Sequence, residues 1–414
     1  MKNPLFISIL AILLAFSISS CQKENSTSTI PDFIKTTEQL TAALNIIYKD
    51  SDVPGFAVSV VENNALVYQE SFGNADIKAE KPYTNQTTQP IGSISKTFVA
   101  AAIVKAIEQG YFTLETDINE ILPFEIKNPK QVNSAIKVKH LVSHTSGLID
   151  NDEVYIRAYH ILPGEDLTSE GAQLMIDGFG IEQRATMPLR DFLKAYFLEN
   201  GSFYSLDNFA AGAPGTSWEY SNIATSLAAY LVEAAAGIPF KDYVEAYIFQ
   251  PLEMHNTAYD YSELDAGNIA SLYWNKNISL PKYANDSYPD GSIHTSNEDL
   301  SKFLIDMMKG ANGQSTTLFS KEGYALLFES LLPSNLLPSD LGENQGIYWF
   351  LNGNQIKHDG SDPGTTCNLQ FEKNGHSGFL LLTNMDASTN EHAKGYFELS
   401  QKIETAITNF INNN

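Results

Sequence analysis

The sequence is poor in cysteine and in positive charge. Two cysteines occur in 414 residues, Cys21 and Cys367, which excludes a small scaffold held together by several disulfides. No Cys-x-x-Cys and no His-Glu-x-x-His pattern is present, so we expect neither a zinc site nor another cofactor. Lys and Arg total 26 against 49 Asp and Glu, a formal charge of −23, and nucleic acid is a poor partner for such a surface.

A hydrophobic run near the N-terminus predicts export. Lys2 precedes the apolar residues 5–18, a pattern typical of a secretory signal and too short to span a membrane. We therefore expect residues 1–20 to be a signal peptide that is removed. The segment Ile18-Ser19-Ser20-Cys21 resembles the bacterial lipobox, which implies that Cys21 becomes the first mature residue and carries lipid. The alternative is a freely secreted protein that is cut before a chance cysteine.

The remainder of the chain indicates a tether and one large domain. Residues 21–32 are mostly polar and predict a flexible tether behind the lipid-bearing Cys21. Residues 33–414 have the length and apolar content to bury one core. The expected location is the cell envelope, with the protein anchored to a membrane by its lipid and facing the periplasm or the cell exterior.

Strand-like runs occur near both ends of this domain. The first two, 55–62 and 65–72, are separated by Asn63-Asn64, a pair that tolerates the conformations of a tight hairpin. Further strand-like runs lie near the C-terminus, at 346–351, 355–358, 366–373 and 377–384. The pattern between the two sets is mostly helical, and a last helix is expected near 391–411. We predict an α+β fold: an antiparallel sheet built from both chain ends, flanked by helices, with an inserted, mostly helical lobe and a cleft for the site.

Ser93-Ile94-Ser95-Lys96 is the most informative motif. On a helix, residues three apart share a face, so the Lys96 amine can take the proton of the Ser93 hydroxyl. The apolar run 98–107 predicts a buried helix, whose dipole and desolvation favour the neutral amine. For a motif on its own, a plain N-cap serine and a solvated lysine are the alternative. The same spacing recurs, without a helix to hold the pair, at Ser20, Ser134 and Ser279; residues 136–140, after Ser134, look extended.

Two later motifs follow in order, and with the first they resemble a known family. They are Tyr220-Ser221-Asn222, shortly after Pro214-Gly215-Thr216, and His358-Asp359-Gly360, placed at the end of a short strand. Ser-x-x-Lys, Tyr-x-Asn and Lys-Thr-Gly or His-x-Gly in this order resemble the serine hydrolases related to class C β-lactamases and D-alanyl-D-alanine peptidases. The resemblance extends over about residues 40 to 390.

The resemblance implies a role for each matching residue. Ser93 would attack the substrate carbonyl, while Lys96 and the Tyr220 phenol, acting as phenolate base and then as phenol acid, would pass its proton to the leaving group. Asn222 would hydrogen-bond substrate and lysine. The substrate-binding strand would contribute His358, Gly360 and Ser361. Gly360 would let a substrate lie along the strand, and the backbone N–H groups of Ser93 and Ser361 would form an oxyanion hole. His144, in His-Thr-Ser-Gly, resembles a scaffold feature.

Two departures from the family pattern concern the substrate. His358 stands in place of lysine and offers little positive charge near neutral pH, which makes β-lactam hydrolysis less favoured as the main activity. The segment 150–213 holds all three arginines of the chain, at Arg157, Arg184 and Arg190. One interpretation makes this segment a lid whose arginine recognises a substrate carboxylate. The other makes them surface arginines on amphipathic helices.

The leading hypothesis from the sequence is an exported, lipid-anchored serine hydrolase. It would form an acyl-enzyme on Ser93 and hydrolyse an amide or ester, such as a D-amino-acid peptide of the cell wall. An esterase or a weak β-lactamase with the same chemistry is the first alternative. An alternative of another class is a non-catalytic receptor that binds wall peptides or β-lactams in the cleft.

Overall fold

The computed structural model describes residues 31, 33–337 and 342–413. The predicted signal peptide, Cys21 and nearly all of the tether lie outside the described residues. The helices in the described part are α1 Thr37–Lys49, α2 Ser95–Glu108, α3 Val138–Val142, α4 Asp152–Tyr155, α5 Glu170–Gln173, α6 Leu189–Phe197, α7 Asn222–Ala236, α8 Phe240–Val244, α9 Asn297–Ala311, α10 Lys321–Leu327 and α11 Asn390–Asn412. The strands are β1 Gly55–Glu62, β2 Ala65–Asp76, β3 Lys81–Pro82, β4 Thr88–Pro90, β5 Tyr159–Ile161, β6 Leu272–Asn275, β7 Ile278–Leu280, β8 Tyr283–Asn285, β9 His294–Ser296, β10 Asn344–Gln345, β11 Phe350–Asn352, β12 Gln355–Asp362, β13 Thr365–Glu372 and β14 Ser377–Thr383.

The main sheet joins the two ends of the chain. Its eight strands run in the order β10-β11-β12-β13-β14-β1-β2-β3, and every neighbouring pair is antiparallel. The junction is the pairing of β1 with β14, where Val58 lies opposite Leu381. Asn63 and Asn64 turn the β1-β2 hairpin with φ values of 50° and 64°, as a tight hairpin turn requires. The predicted α+β fold with a sheet from both termini is confirmed.

Helices cover both faces of this sheet, and the central strand β1 is accordingly apolar on both of its faces. Phe56, Val58 and Val60 share a core with α1 and α11. Alternation along a strand sends Val61 to the other face, where it belongs to the larger core that contains α2 and α9. The long α11 follows from its apolar spacing, since Leu399, Ile403 and Phe410 are buried.

The inserted lobe lies between β3 and β10 in sequence, and α7 is its central helix. Residues 223–232 of α7 are all buried, and the helix packs against α2, which follows the Ser93 turn. Within the described residues no single helix has the length and hydropathy of a membrane span. Only α7 taken together with Phe240–Phe249 reaches them, and that pair is bent by 80°.

Two local predictions are wrong. The predicted strand 346–351 is a turn over residues 346–349, and strand structure begins only at Phe350, in β11. The Gly346 N–H donates to the Trp349 carbonyl at 2.8 Å, and Tyr348 has φ 55°. This turn buries Tyr348 and Trp349 completely. Their burial depends on tertiary packing, and in the sequence the apolar run looks the same as a strand. Residues 136–140 are not extended throughout, because α3 begins at Val138.

Candidate active site

Two glycines allow the turn that carries Ser93 to pack directly against β12. Ser93 lies in a 3₁₀ turn, Gly92–Ile94, which continues into α2. A Cβ on Gly360 would lie 1.9 Å from the Ile91 carbonyl oxygen, and one on Gly92, at φ +51°, would lie 2.6 Å from the Ser361 nitrogen. Because no side chain fits either gap, the two backbones meet only through glycine. This contact places Ser93 beside the Ser361 backbone.

Ser93 and Lys96 form a hydrogen-bonded pair. The Lys96 Nζ lies 3.0 Å from the Ser93 Oγ and 2.7 Å from the Asp290 carbonyl oxygen, to which it donates. Lys96 is completely buried, not the solvated lysine of the alternative, and Ser93 is half-buried. Burial lowers the pKa of Lys96 to about 8, against the opposing charges of Asp290, Asp150 and Asp362. The amine can therefore be neutral and accept a proton at mildly alkaline pH.

Tyr220 precedes α7 and faces this pair. The Lys96 Nζ lies 5.1 Å from the centre of the Tyr220 ring, and the side chain is buried. Burial raises the pKa of the phenol, and Ser93 is close enough to oppose the shift. No hydrogen bond of ordinary geometry reaches the Tyr220 hydroxyl from the part of the chain that the structure describes. The raised pKa favours the protonated phenol, whereas the lowered pKa of Lys96 favours its amine as the proton acceptor of this pair.

His144 supports the Tyr220 segment from one side. Its carbonyl oxygen accepts the Glu219 N–H at 2.8 Å, and its Nδ1 accepts the Ser221 N–H at 3.2 Å. The His144 ring lies 4.5 Å from the Tyr220 ring, centre to centre. Burial holds the pKa of His144 well below its ordinary value, so the ring stays neutral. These contacts agree with the scaffold role that the sequence indicates.

Asn222 is held by a carboxylate that the sequence analysis had not singled out. The Asn222 Nδ2 donates to Asp150 Oδ2 at 2.8 Å, and the Asn222 backbone N–H donates to the same oxygen at 2.7 Å. Among the described residues, the hydrogen bonds of Lys96 go to Ser93 and Asp290, so the expected bond from Asn222 to the lysine is not observed. With its amide nitrogen committed, Asn222 can present its Oδ1 to a substrate donor.

The third motif lies inside β12 and not at a strand end. The strand continues to Asp362, and its buried positions alternate so that His358 and Gly360 share the face that meets the Ser93 turn. Pairing with β11 covers only Gln355–Lys357. One edge of the strand beyond Lys357 is therefore open to an added strand-like substrate. Gly360 is needed for close packing against Ile91, in addition to any role in substrate binding.

His358 is a neutral hydrogen-bond acceptor. Its Nδ1 lies 2.7 Å from the Asp359 carbonyl oxygen, and because a carbonyl can only accept, Nδ1 must carry the proton. The Nε2 lone pair is buried and has no partner among the described residues. Burial, followed by the charge of Lys96, lowers the pKa of His358 to about 3. The position that holds lysine in related enzymes thus offers no positive charge to a substrate.

The arginines of segment 150–213 do not supply the missing charge in any observed contact. Arg184 donates to both oxygens of the buried Asp286, at 2.6 and 3.2 Å. Arg190 is exposed and pairs with its neighbour Asp191 at 3.2 Å, and Arg157 is exposed as well. Arg184 therefore ties this segment to the residues that follow β8, and recognition of a substrate carboxylate by an arginine of the segment stays a prediction.

Besides Asp150, the sequence analysis missed Asp290. Its Oδ2 accepts hydrogen bonds from Tyr155 Oη at 2.6 Å, Ser287 Oγ at 2.7 Å and Ser226 Oγ at 3.0 Å, and its carbonyl orients Lys96. No motif marks either carboxylate in the sequence, since burial is not visible there. The described residues hold no group of three or more His, Cys, Asp or Glu placed to bind a metal ion.

Comparisons with known proteins identify the family. A sequence profile of the family described as Beta-lactamase matches residues 33–401. Esterase EstB of Burkholderia gladioli is 27% identical over 222 residues, 53% of this chain and 51% of that protein. The human mitochondrial serine beta-lactamase-like protein LACTB is 25% identical over 351 residues, 75% of this chain and 62% of that protein. The chain thus spans about half to three-fifths of the length of these relatives.

A solved structure extends the comparison to the fold. The octameric penicillin-binding protein homologue from Pyrococcus abyssi superimposes with a TM-score of 0.68 and 21% identity, over 89% of this chain and 77% of that one. At this identity the match concerns the fold alone. The family profile covers nearly the whole of the described chain, and the chain belongs to the β-lactamase family of serine hydrolases.

Proposed function

We propose that the protein hydrolyses an ester or an amide through an acyl-enzyme on Ser93. The observation that carries this proposal is the 3.0 Å hydrogen bond between the Ser93 hydroxyl and a buried amine, that of Lys96, whose pKa is lowered to about 8. A serine hydroxyl becomes an effective nucleophile when an adjacent base takes its proton. The helix start at α2 and the glycine contacts hold this pair in place before a substrate arrives.

The proposed reaction assigns one group to each step. As the Ser93 Oγ bonds to the substrate carbonyl carbon, the Lys96 amine takes the hydroxyl proton and the carbonyl oxygen becomes an oxyanion. The backbone N–H groups of Ser93 and Ser361 would stabilise that charge. Collapse breaks the bond to the leaving group, which receives the proton from Lys96 through the Tyr220 phenol. Water then hydrolyses the acyl-serine ester with the Lys96 amine again acting as base.

The substrate that we propose carries no carboxylate beside the scissile bond. His358 offers a lone pair at Nε2, so it accepts a hydrogen bond and provides no cation. The groups that face Lys96 are the buried carboxyl groups of Asp290, Asp150 and Asp362, which provide no cation for a substrate carboxylate and repel it when they are ionised. Esters, and D-amino-acid amides or peptides with a free amino end, suit this field better than β-lactams or peptides that end in a carboxylate. The similarity to an esterase supports the same preference.

Substrate choice tests this electrostatic argument. We expect kcat/KM to be highest for p-nitrophenyl butyrate and D-alanine p-nitroanilide, and lowest for a D-Ala-D-Ala peptide and a chromogenic cephalosporin. H358K should raise kcat/KM for the two carboxylate-bearing substrates about tenfold relative to the ester, because one charged hydrogen bond is worth about 1.5–3 kcal/mol. Q355K adds the same charge on the opposite face of β12 and should leave the ratio unchanged. Wild-type preference for the carboxylate-bearing substrates would contradict the proposal.

We also propose that the protein is exported and held at the cell envelope by lipid on Cys21. The apolar run 5–18 and the lipobox-like Ile18-Ser19-Ser20-Cys21 support this. C21S should move the protein from the membrane fraction to the soluble fraction, with the specific activity of the folded domain unchanged. Fractionation followed by esterase assay and N-terminal mass analysis measures both. Equal membrane retention of C21S would rule out the lipid anchor.

A further inference from the structure

We propose that Asp150 is a positioning residue that holds the Tyr220 and Asn222 turn against Ser93. This inference rests on the proposed function. Asp150 is only 7% exposed, and its carboxylate accepts hydrogen bonds from three consecutive residues. The donors are Asn222 N at 2.7 Å, Asn222 Nδ2 at 2.8 Å, Ile223 N at 2.8 Å and Ser221 Oγ at 3.3 Å.

The hydrogen bonds of Asp150 satisfy groups that α7 cannot satisfy itself. The first N–H groups of a helix have no acceptor within the helix. Ser221 Oγ accepts the Ala224 N–H at 3.1 Å, while Asp150 accepts the N–H groups of Asn222 and Ile223. A carboxylate also interacts favourably with the positive end of the helix dipole. Asp150 therefore fixes the start of α7 and the Asn222 carboxamide with the same two oxygens.

The position of the Tyr220 phenol depends on this attachment. Ser221 is extended, with φ −142° and ψ 118°, so a single residue links Tyr220 to the Asn222 that Asp150 binds. His144 binds the same turn through the N–H groups of Glu219 and Ser221. The loop 144–150 thus binds the turn through His144 at one end and Asp150 at the other. Loss of the Asp150 hydrogen bonds would allow the phenol to move away from Lys96.

The isosteric variant D150N separates positioning from bulk packing. In D150N the side-chain oxygen can still accept the Ile223 N–H. The amide nitrogen, however, faces the two N–H donors of Asn222 and cannot accept a hydrogen bond from either. We expect acylation of Ser93 by a fluorophosphonate to slow by about 10- to 100-fold, as small displacements of catalytic groups do. Rates are followed by intact-protein mass spectrometry and normalised to the folded fraction measured by circular dichroism. D150S, in which water can complete the helix cap, should slow to a similar extent and serves if D150N does not fold.

D299N is the matched control. Asp299 is completely buried near the start of α9 and accepts the Asn256 N–H at 2.5 Å and the Thr257 hydroxyl at 3.0 Å. D299N should lower the unfolding temperature comparably to D150N and yet label at the wild-type rate. A double-mutant cycle completes the test: in an N222A background, D150N should slow labelling by a smaller factor than in the wild type, because the Asn222 carboxamide is gone while its backbone N–H still needs Asp150.

The outcomes distinguish this inference from the proposed function. Wild-type protein that labels at Ser93, together with D150N that labels equally fast, would overturn the positioning role and leave the hydrolase standing. Fully multiplicative effects of D150N and N222A would overturn it too. Wild-type protein that does not label at Ser93 would overturn the proposed function itself. Slow labelling of D150N alone, with D299N unaffected, supports the role.

Discussion

Replacement of Ser93 with alanine is expected to lower kcat/KM for an activated ester by about 10⁴-fold or more. Loss of a nucleophile in a serine hydrolase removes the covalent route entirely, and the residual rate comes from binding and oxyanion stabilisation alone. Ser93 is half-buried and the alanine side chain fits the same 3₁₀ turn. The thermal unfolding temperature should therefore change little. Steady-state hydrolysis of p-nitrophenyl butyrate measures the first effect and calorimetry the second.

A second serine of the same local pattern gives the control for S93A. Ser134 also stands three residues before a lysine, Lys137, but Lys137 pairs with Glu115 at 2.8 Å. S134A should keep wild-type activity. If S93A retains more than about one-tenth of the wild-type kcat/KM while S134A is unchanged, a covalent mechanism on Ser93 is excluded.

The second large effect concerns Lys96. K96M should reduce kcat/KM by about 10³-fold, within the range that general base catalysis provides. Methionine matches the length of the lysine stem, but it leaves the Asp290 carbonyl without its donor and the nearby carboxyl groups without a cation. The rate is therefore normalised to the folded fraction measured by circular dichroism. K105M is the matched control: Lys105 lies on the same helix and likewise donates to a backbone carbonyl, that of Leu318, at 2.8 Å. It should hydrolyse the ester at the wild-type rate.

The pH dependence gives a sharper signature of the same role. Because only the neutral amine accepts a proton, kcat/KM should rise with pH towards a plateau above about 8, where the pKa of Lys96 lies. Near this pH the rings of His144 and His358 stay neutral and the Tyr220 phenol stays protonated. The carboxyl groups around Lys96 also affect the pH dependence of kcat/KM. Burial raises the pKa of Asp290 and brings the pKa values of Asp150 and Asp362 to about 7. A profile that is flat between about pH 7 and 9, or K96M activity above about one-tenth of wild type, would contradict the assignment.

The sheet and the order of the site motifs were predictable because both depend on local patterns. Strand-like runs of β-branched and aromatic residues, with the Asn63-Asn64 turn, identify β1, β2 and most of β12–β14, because such residues favour extended backbone locally. The Ser93 and Lys96 pair follows from the geometry of one helical turn. The turn at Gly346–Trp349 was missed because burial of Tyr348 and Trp349 rewards a left-handed residue that local preference disfavours.

The charges around the site were not predictable in the same way. Asp150 and Asp290 lie in different parts of the chain, and only the packing of α7 and α2 brings them to Tyr220 and Lys96. The tautomer of His358 likewise depends on one hydrogen bond to the Asp359 carbonyl. Sequence patterns indicate which residue types are present. Desolvation and partner geometry, which set the pKa values and the acceptor at His358, arise only in the folded chain.

Trapping of the acyl-enzyme is the most direct test of the central claim. The purified protein is mixed with p-nitrophenyl butyrate, quenched in acid within milliseconds to seconds, and measured by intact-protein mass spectrometry with peptide mapping. A butyryl adduct on Ser93, formed in a burst of p-nitrophenol and absent from S93A, is the predicted result. Steady hydrolysis with no adduct, or an adduct on another residue, would contradict the mechanism. Binding without either adduct or turnover would favour the receptor alternative.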